Sequence, residues 1–315
     1  MVKYVYICSA ARSGSTFTDM LLGGHTRMAS VGEFSFLGKC LSLDEECSCG
    51  AALKQCGQWK KVFDRVKEEK GIDLLRAPYA LKLWDARAVI KVDKAHQTAA
   101  YLAGCKVRTF LQQLKYSNPL LENLVPLAPS LRASLENTFY LYDVSRQAWG
   151  VDVIIDSSKS AYKAVGLYKM HPDQVRVVLL SRDGRGVFLS RRLTGIDQKT
   201  SLGGWKNYYT RALDTLEKHV PSEHLYRLRY EDLVTDPEEK LKQICKLANV
   251  PYEASMTDLS GGERHVVNGN RGAQKRRQGG IKADTRWKEQ LKGEDLDFFN
   301  RYGGRINRKL GYGSQ

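Results

Sequence analysis

The chain has 315 residues, 42% hydrophobic and 27% charged, which suits one large α/β domain or a core domain with a sizeable insertion. It contains no apolar run long enough to span a bilayer, and residue 1 leads straight into a strand pattern with no signal-peptide architecture; a cytoplasmic location is expected, compatible with peripheral contact with an anionic surface. Fifty Lys and Arg against 35 Asp and Glu give +15, a balance that favours nucleotides, nucleic acid, acidic glycans or anionic lipid without choosing among them.

In chain order, "KYVYICSA" (3–10) predicts a first strand, β-branched and aromatic. A helix start follows over 15–23, with Phe17, Met20, Leu21 and Leu22 apolar. Residues 40–128 break the strand–helix rhythm and predict a helical insertion, either core filler or an acceptor-binding cap. The pattern then resumes with a helix over 130–148, a strand over 151–157 and a helix over 160–170 stopped by Pro172. A strand over 174–182 leads to a helix opened by "RGVFLSRRL", then a strand over 224–233 and a helix in "DPEEKLKQICKLANV", with Pro237 and acids at its start. Continuous apolar strands alternating with helices predict a mostly parallel sheet built from βαβ units. The tail, 264–309, carries 13 Lys or Arg against 5 Asp or Glu, about half of the whole excess.

Seven cysteines are an odd number, and Cys40, Cys47, Cys49 and Cys56 crowd into seventeen residues. Their C-x6-C-x-C-x6-C spacing lacks the C-x2-C pairs of common zinc sites, so free thiols are expected first, one disulfide next and a metal knuckle last; no metal is assigned. Cys8, Cys105 and Cys245 lie in apolar patterns and read as buried thiols.

The first strand runs into "SAARSGST". A Walker loop reads G-x-x-x-x-G-K-[ST]; aligned on Gly14, Ser9 replaces the first glycine and Ser15 the lysine, with Thr16 after it. That lysine reaches the β- and γ-phosphates of ATP, so its loss argues against phosphoryl transfer. A strand, a turn and a helix N-terminus remain, whose N–H groups and dipole still bind an anion, with Arg12 as the nearby cation. The alternative is an ordinary helix start capped by Ser13 or Ser15. A second phosphate-reading element stands in "VVLLSRDGRGVFLSRR" (177–192): Arg182 ends a strand and Ser190 lies eight residues on, about two helical turns. The alternative is that Arg182 pairs with Asp156 or Asp183.

Together these segments resemble the sulfotransferases that use 3′-phosphoadenosine 5′-phosphosulfate (PAPS). "ARSGST" is similar to their 5′-phosphosulfate loop and "SRDGRGVFLS" to their 3′-phosphate segment, with Arg and Ser at the family spacing. "LRYEDLVTDPEEKL" (228–241) is similar to a downstream family segment. "GEFSFL", "CSCGAALKQCGQW" and "HVVNGNRGAQ" followed by Asp284 and Trp287 resemble the bacterial and carbohydrate-type branch. The resemblance covers both ends of the chain and fades over 60–130.

The resemblance implies a P-loop-like three-layer α/β fold in a single domain. It implies transfer of a sulfuryl group to a hydroxyl, less readily an amine, of a glycan, glycolipid or small molecule. PAPS is the implied co-substrate, with no metal required and no specific nucleic-acid partner. Arg12 would stabilise the leaving group, and Ser13, Gly14, Ser15 and Thr16 would grip the 5′-phosphate. Arg182, Ser190 and Arg271 would serve the 3′-phosphate side, with Arg271 alternatively near the sulfate. Glu33 is the implied base, with His25 the alternative; read without that role, Glu33 is a surface residue or helix cap and His25 a helix-terminal histidine satisfied by backbone. Lys159 would steady the moving sulfuryl, and Ser158 would touch the 5′ side; the alternative is that Ser157 and Ser158 cap the helix at 160. Cytosolic relatives place a histidine after the strand that here ends in "IIDSSKS", which favours Glu33. "KRR" (275–277) reads as a solvated loop or a mobile lid, and Trp287 as core. Two other readings are a degenerate P-loop kinase using Asp156 as its acid, and an anionic-polymer-binding module.

Overall fold

The computed structural model describes residues 1–83, 99–117, 119–260, 263–269 and 284–313. Five parallel strands form one sheet: β1 (Tyr4–Cys8), β2 (Met28–Gly32), β3 (Val153–Lys159), β4 (Val175–Ser181) and β5 (Leu225–Arg229), in the order β2-β3-β1-β4-β5. The principal helices are α1 (Ser15–Leu22), α2 (Gly57–Lys70), α3 (Ala99–Ser117), α4 (Pro129–Trp149), α5 (Ala161–Met170), α6 (Gly184–Arg192), α7 (Gln198–His219), α8 (Pro237–Ala248) and α9 (Gly293–Lys309).

Alternation along β1 assigns its side chains to two cores. Val5 and Ile7 join Met20, Leu21 and Leu22 of α1 and Leu241 and Ile244 of α8 on one face. Tyr4, Tyr6 and Cys8 join residues of α4, α5 and α7 on the other. Both faces being covered explains why the strand sequences are continuously apolar. The start of the insertion belongs to the second core: Trp59 of α2 stacks on Phe34 at 5.8 Å and meets Trp149 edge-on at 4.9 Å. No described helix is long and apolar enough to cross a membrane.

Two elements differ from the sequence expectation. Strand β2, "MASVG", is a fifth strand that the pattern did not announce, because an edge strand with Ser and Gly carries little apolar signal. The strand expected over 224–233 stops at Arg229, and Tyr230–Thr235 turns into a short helix. β1 lies between β3 and β4, so the chain leaves it in one direction towards β2 and later passes to its other side. Sheets of this kind open a crevice at the carboxyl ends of the strands beside such a switch point.

Candidate active site

The loop from β1 to α1 lies at that crevice. Gly14 is the residue before α1 and is left-handed, φ +91°; a Cβ there would come within 2.4 Å of the Tyr230 ring. Only glycine meets both conditions. No side chain caps α1, so Ser13 and Ser15 are not N-caps. Instead Ser13 is buried and hydrogen-bonded to Tyr209, 3.0 Å. Tyr209 donates its own proton to the Leu180 carbonyl at 2.8 Å and accepts from the Ala10 N–H at 3.3 Å, so Ser13 is the donor to it. The loop is thereby tied to the end of β4, with the first turn of α1 offering its amides beyond Gly14. Arg12 is exposed and also left-handed, φ +69°.

Arg182 follows β4 and reaches into this loop. Its Nη1 donates to the Arg12 carbonyl at 3.1 Å, and its guanidinium lies 5.1 Å from the centre of the Tyr230 ring that also packs on Gly14. Its Nη2 donates to the Asp284 carboxylate at 3.0 Å and to the Asp284 carbonyl at 3.4 Å. These bonds use three of the five guanidinium N–H donors. Asp284 is held well below the usual carboxylate range, first by hydrogen bonds from Arg286 and then by Arg182. Asp183 does not pair with Arg182: it caps α6 and takes a 2.7 Å ion pair from Arg185. Ser190 is half-buried on α6, one turn beyond Gly186. A Cβ on Gly186 would lie 3.3 Å from the Arg182 guanidinium, so Ser190 shares the helix face turned towards it. Arg271 and residues 275–277 lie outside the described residues.

The second half of the crevice is built by β2 and β3. Gly32 pairs with Asp156, which brings Glu33 and Lys159 together just past the strand ends; their side chains form an ion pair, 13% and 22% exposed respectively. Lys159 is left-handed, φ +76°, at an irregularity in the β1–β3 register. Its carbonyl accepts from the Tyr208 hydroxyl, and the next amide, Ser160, donates to Tyr6 at 3.2 Å. Of the described non-glycine residues with positive φ, Arg12 lies in the turn after β1 and Lys159 at the end of β3, so both fall on the carboxyl side of the sheet. Ser158 accepts from the Ser35 amide at 2.9 Å, and α5 is capped by Ser160 rather than by Ser157 or Ser158.

Beneath that pair lies Asp19 of α1, 2% exposed, a residue the sequence pattern hid among helix positions. Ser30 of β2 and Ser157 of β3 each donate to it at 2.6 Å. Burial pushes its carboxyl up to about 7, against the two hydrogen bonds and the Lys159 charge. Asp156 is engaged by the Tyr142 hydroxyl and the Ser158 amide, which leaves it as a structural anchor rather than a metal-facing acid. His25 stands apart. It follows α1 and precedes β2, so it lies at the amino end of that strand while Glu33 lies just past its carboxyl end. Its Nε2 donates to the Pro251 carbonyl at 2.7 Å while Nδ1 accepts from the Arg27 amide at 2.8 Å, so both ring nitrogens are occupied.

A parallel sheet with a glycine-containing, hydroxyl-rich loop at its switch point and an arginine from the neighbouring strand has the plan of the P-loop-like α/β folds. The particular family follows from comparison: a model described as the sulfotransferase family matches residues 5–254, and the chain belongs to that family. It is a sulfotransferase by class. Among solved structures it is similar to the sulfotransferase domain of the Synechococcus PCC 7002 olefin synthase, at 18% identity and TM-score 0.54, covering 100% of this chain and 96% of that one. It is also similar to a sulfotransferase domain from the curacin biosynthetic pathway, at 19% identity and TM-score 0.53, covering 100% and 99%. Both likenesses carry the fold. No curated protein matches the chain.

Proposed function

We propose that the protein transfers the sulfuryl group of PAPS to a hydroxyl of a glycan, glycolipid or other small acceptor. The observation that carries this reading is the arginine that ends β4 and hydrogen-bonds the anion loop itself, Arg182 on the Arg12 carbonyl. One nucleotide with phosphates on both its 5′ and 3′ sides suits two adjoining anion readers, and a loop without the Walker lysine suits a donor without a γ-phosphate.

In the proposed reaction the acceptor oxygen attacks sulfur in line with the bond to the 5′-phosphate. The new S–O bond forms as the old one breaks, and its electron pair leaves on the phosphate oxygen to give adenosine 3′,5′-bisphosphate. Glu33 takes the acceptor's proton. Lys159, already beside Glu33, faces the charge on the sulfuryl oxygens, and Arg12 faces the leaving oxygen. Ser13, Gly14, Ser15 and Thr16 hold the 5′-phosphate, while Arg182 and Ser190 hold the 3′-phosphate. Positioning supplies most of the rate, because such a displacement needs alignment more than covalent help.

Thermal-shift and calorimetric titration with adenosine 3′,5′-bisphosphate in EDTA tests the reading. Binding without magnesium, and sulfated product from labelled PAPS in an acceptor screen, are expected. Absence of both, or magnesium-dependent ATP turnover instead, would overturn it.

A further inference from the structure

The cysteine-rich stretch resolves differently from its spacing. Cys40 drops out, its thiol turned to Glu45 at 3.5 Å. Cys47, Cys49 and Cys56 meet His265, more than two hundred residues along the chain, with all four ligand atoms within 4.8 Å of one another. Cys56 Sγ is 3.2 Å and Cys47 Sγ 3.8 Å from His265 Nδ1, and Cys49 Sγ is 3.7 Å from Cys56 Sγ. Ligands on one tetrahedral zinc stand about 3.8 Å apart when both are thiolates and about 3.5 Å apart when one is an imidazole. The Cys49–Cys56 spacing of 3.7 Å is close to the first, and the two His265 spacings, 3.2 and 3.8 Å, straddle the second. From this geometry we infer that Cys47, Cys49, Cys56 and His265 form a structural zinc site.

The surroundings are those of a built site. Cys47 and Cys49 sit on a tight turn closed by the Cys47 amide on the Ala51 carbonyl, 2.9 Å. His265 is clamped from both sides: Trp59 of α2 donates to its carbonyl at 2.8 Å, and Ser48 bonds the Arg264 carbonyl at 2.5 Å and the Val266 amide at 2.8 Å. With Nδ1 on the metal, Nε2 is left on the outer side, 3.7 Å from the exposed Glu263 carboxylate, too far for a direct hydrogen bond. Three thiolates and a neutral imidazole form a soft set that suits Zn²⁺ and fills its four positions, so no place remains for substrate. Binding releases three thiol protons to solvent and oxidises nothing.

The site ties the insertion to the segment that flanks Glu33. Two residues beyond His265, Val267 bridges Gly32; its carbonyl accepts from the Glu33 amide at 3.1 Å and its amide donates to Val31 at 3.2 Å. A Cβ on Gly32, φ +72°, would fall within 2.4 Å of both the Val266 side chain and the Val267 carbonyl, so this fit is close. The metal therefore holds the strip of chain against which the candidate base is registered.

The test is elemental analysis of the full chain, purified under reducing conditions without added metal or chelator. About one zinc per chain is expected. Cys49→Ser and His265→Asn should each lower that content at least fivefold, and Cys40→Ser should leave it unchanged. The wild-type chain, stripped and reloaded with Co²⁺, should develop the visible bands of tetrahedral cobalt–thiolate coordination, which decides the matter if the variants fail to fold. Wild-type protein without stoichiometric metal and without those bands would overturn the site, as would a Cys49–Cys56 disulfide in the freshly isolated reduced preparation. Metal content does not depend on the sulfuryl-transfer reading, so either can fail without the other.

Discussion

Glu33 and Lys159 neutralise each other at the mouth of the crevice while Lys159 holds a backbone conformation that costs about 1–3 kcal/mol. Glu33→Gln keeps the shape and the hydrogen-bonding capacity but not the base; kcat should fall about 10²–10⁴-fold with nucleotide affinity nearly unchanged. Steady-state kinetics beside calorimetry checks this, and an active Glu33→Gln enzyme would remove the assignment. Lys159→Gly relieves the strain and deletes the ammonium. Urea unfolding should show stability lowered by no more than about 1–2 kcal/mol, the relief of strain offsetting most of the loss of Glu33's partner, while turnover falls at least about tenfold. Arg182→Lys keeps the charge but loses the planar fork that bonds Arg12 and Asp284, and should weaken adenosine 3′,5′-bisphosphate binding at least about tenfold by calorimetry. Arg182 was singled out in the sequence because a strand ending in arginine before a helix start is a local pattern; its Asp284 partner lies 102 residues on and was not. Asp19 was not legible, since an acid inside an amphipathic helix looks solvated until the sheet is placed over it.

At the scale of elements, the β1–α1 loop is shaped by Tyr230, from the short helix after β5, whose ring packs against Gly14 and beside Arg182. Gly14→Ala adds a methyl where the ring stands and forces an unfavourable φ. It should cost roughly 1–3 kcal/mol of stability and abolish the nucleotide-induced thermal shift. Combining it with Tyr230→Ala removes the clash but not the backbone strain, so only part of the loss should return. The strand–helix–strand order was readable from apolar runs and from Pro and Gly punctuation. Strand β2 was not, because its stability comes from pairing with β3 on one side and Val267 on the other rather than from its own composition.

At the scale of the whole molecule, Asp19 joins α1, β2 and β3, and its protonation is coupled to global unfolding. Its folded value of about 7 lies above the unfolded carboxylate value of about 3.9. The folded state therefore holds more protons between those values, and this group's contribution to stability falls as pH rises from about 4 through about 7, then levels off. Asp19→Asn removes that dependence: relative to wild type the variant should gain stability steadily over this window and be the more stable, by about 1–3 kcal/mol, at pH 8. Urea unfolding of both proteins across the range checks the sign, and a difference that does not change with pH would show that Asp19 stays ionised in the fold.

The parallel α/β plan is legible in the sequence alone, as are the glycine-containing turn at Gly14 and the Arg182–Ser190 spacing on which the proposed nucleotide site rests. Each of these is written in local order, as a strand, a turn and a helix start within one short stretch. It takes the folded chain to show that His25 has both ring nitrogens engaged, that Asp183 pairs with Arg185 and Asp284 with Arg182, and that His265 rather than Cys40 joins Cys47, Cys49 and Cys56. Those partners are brought together by sheet order and by the closure of long stretches of chain, and no local pattern encodes which distant side chain will arrive.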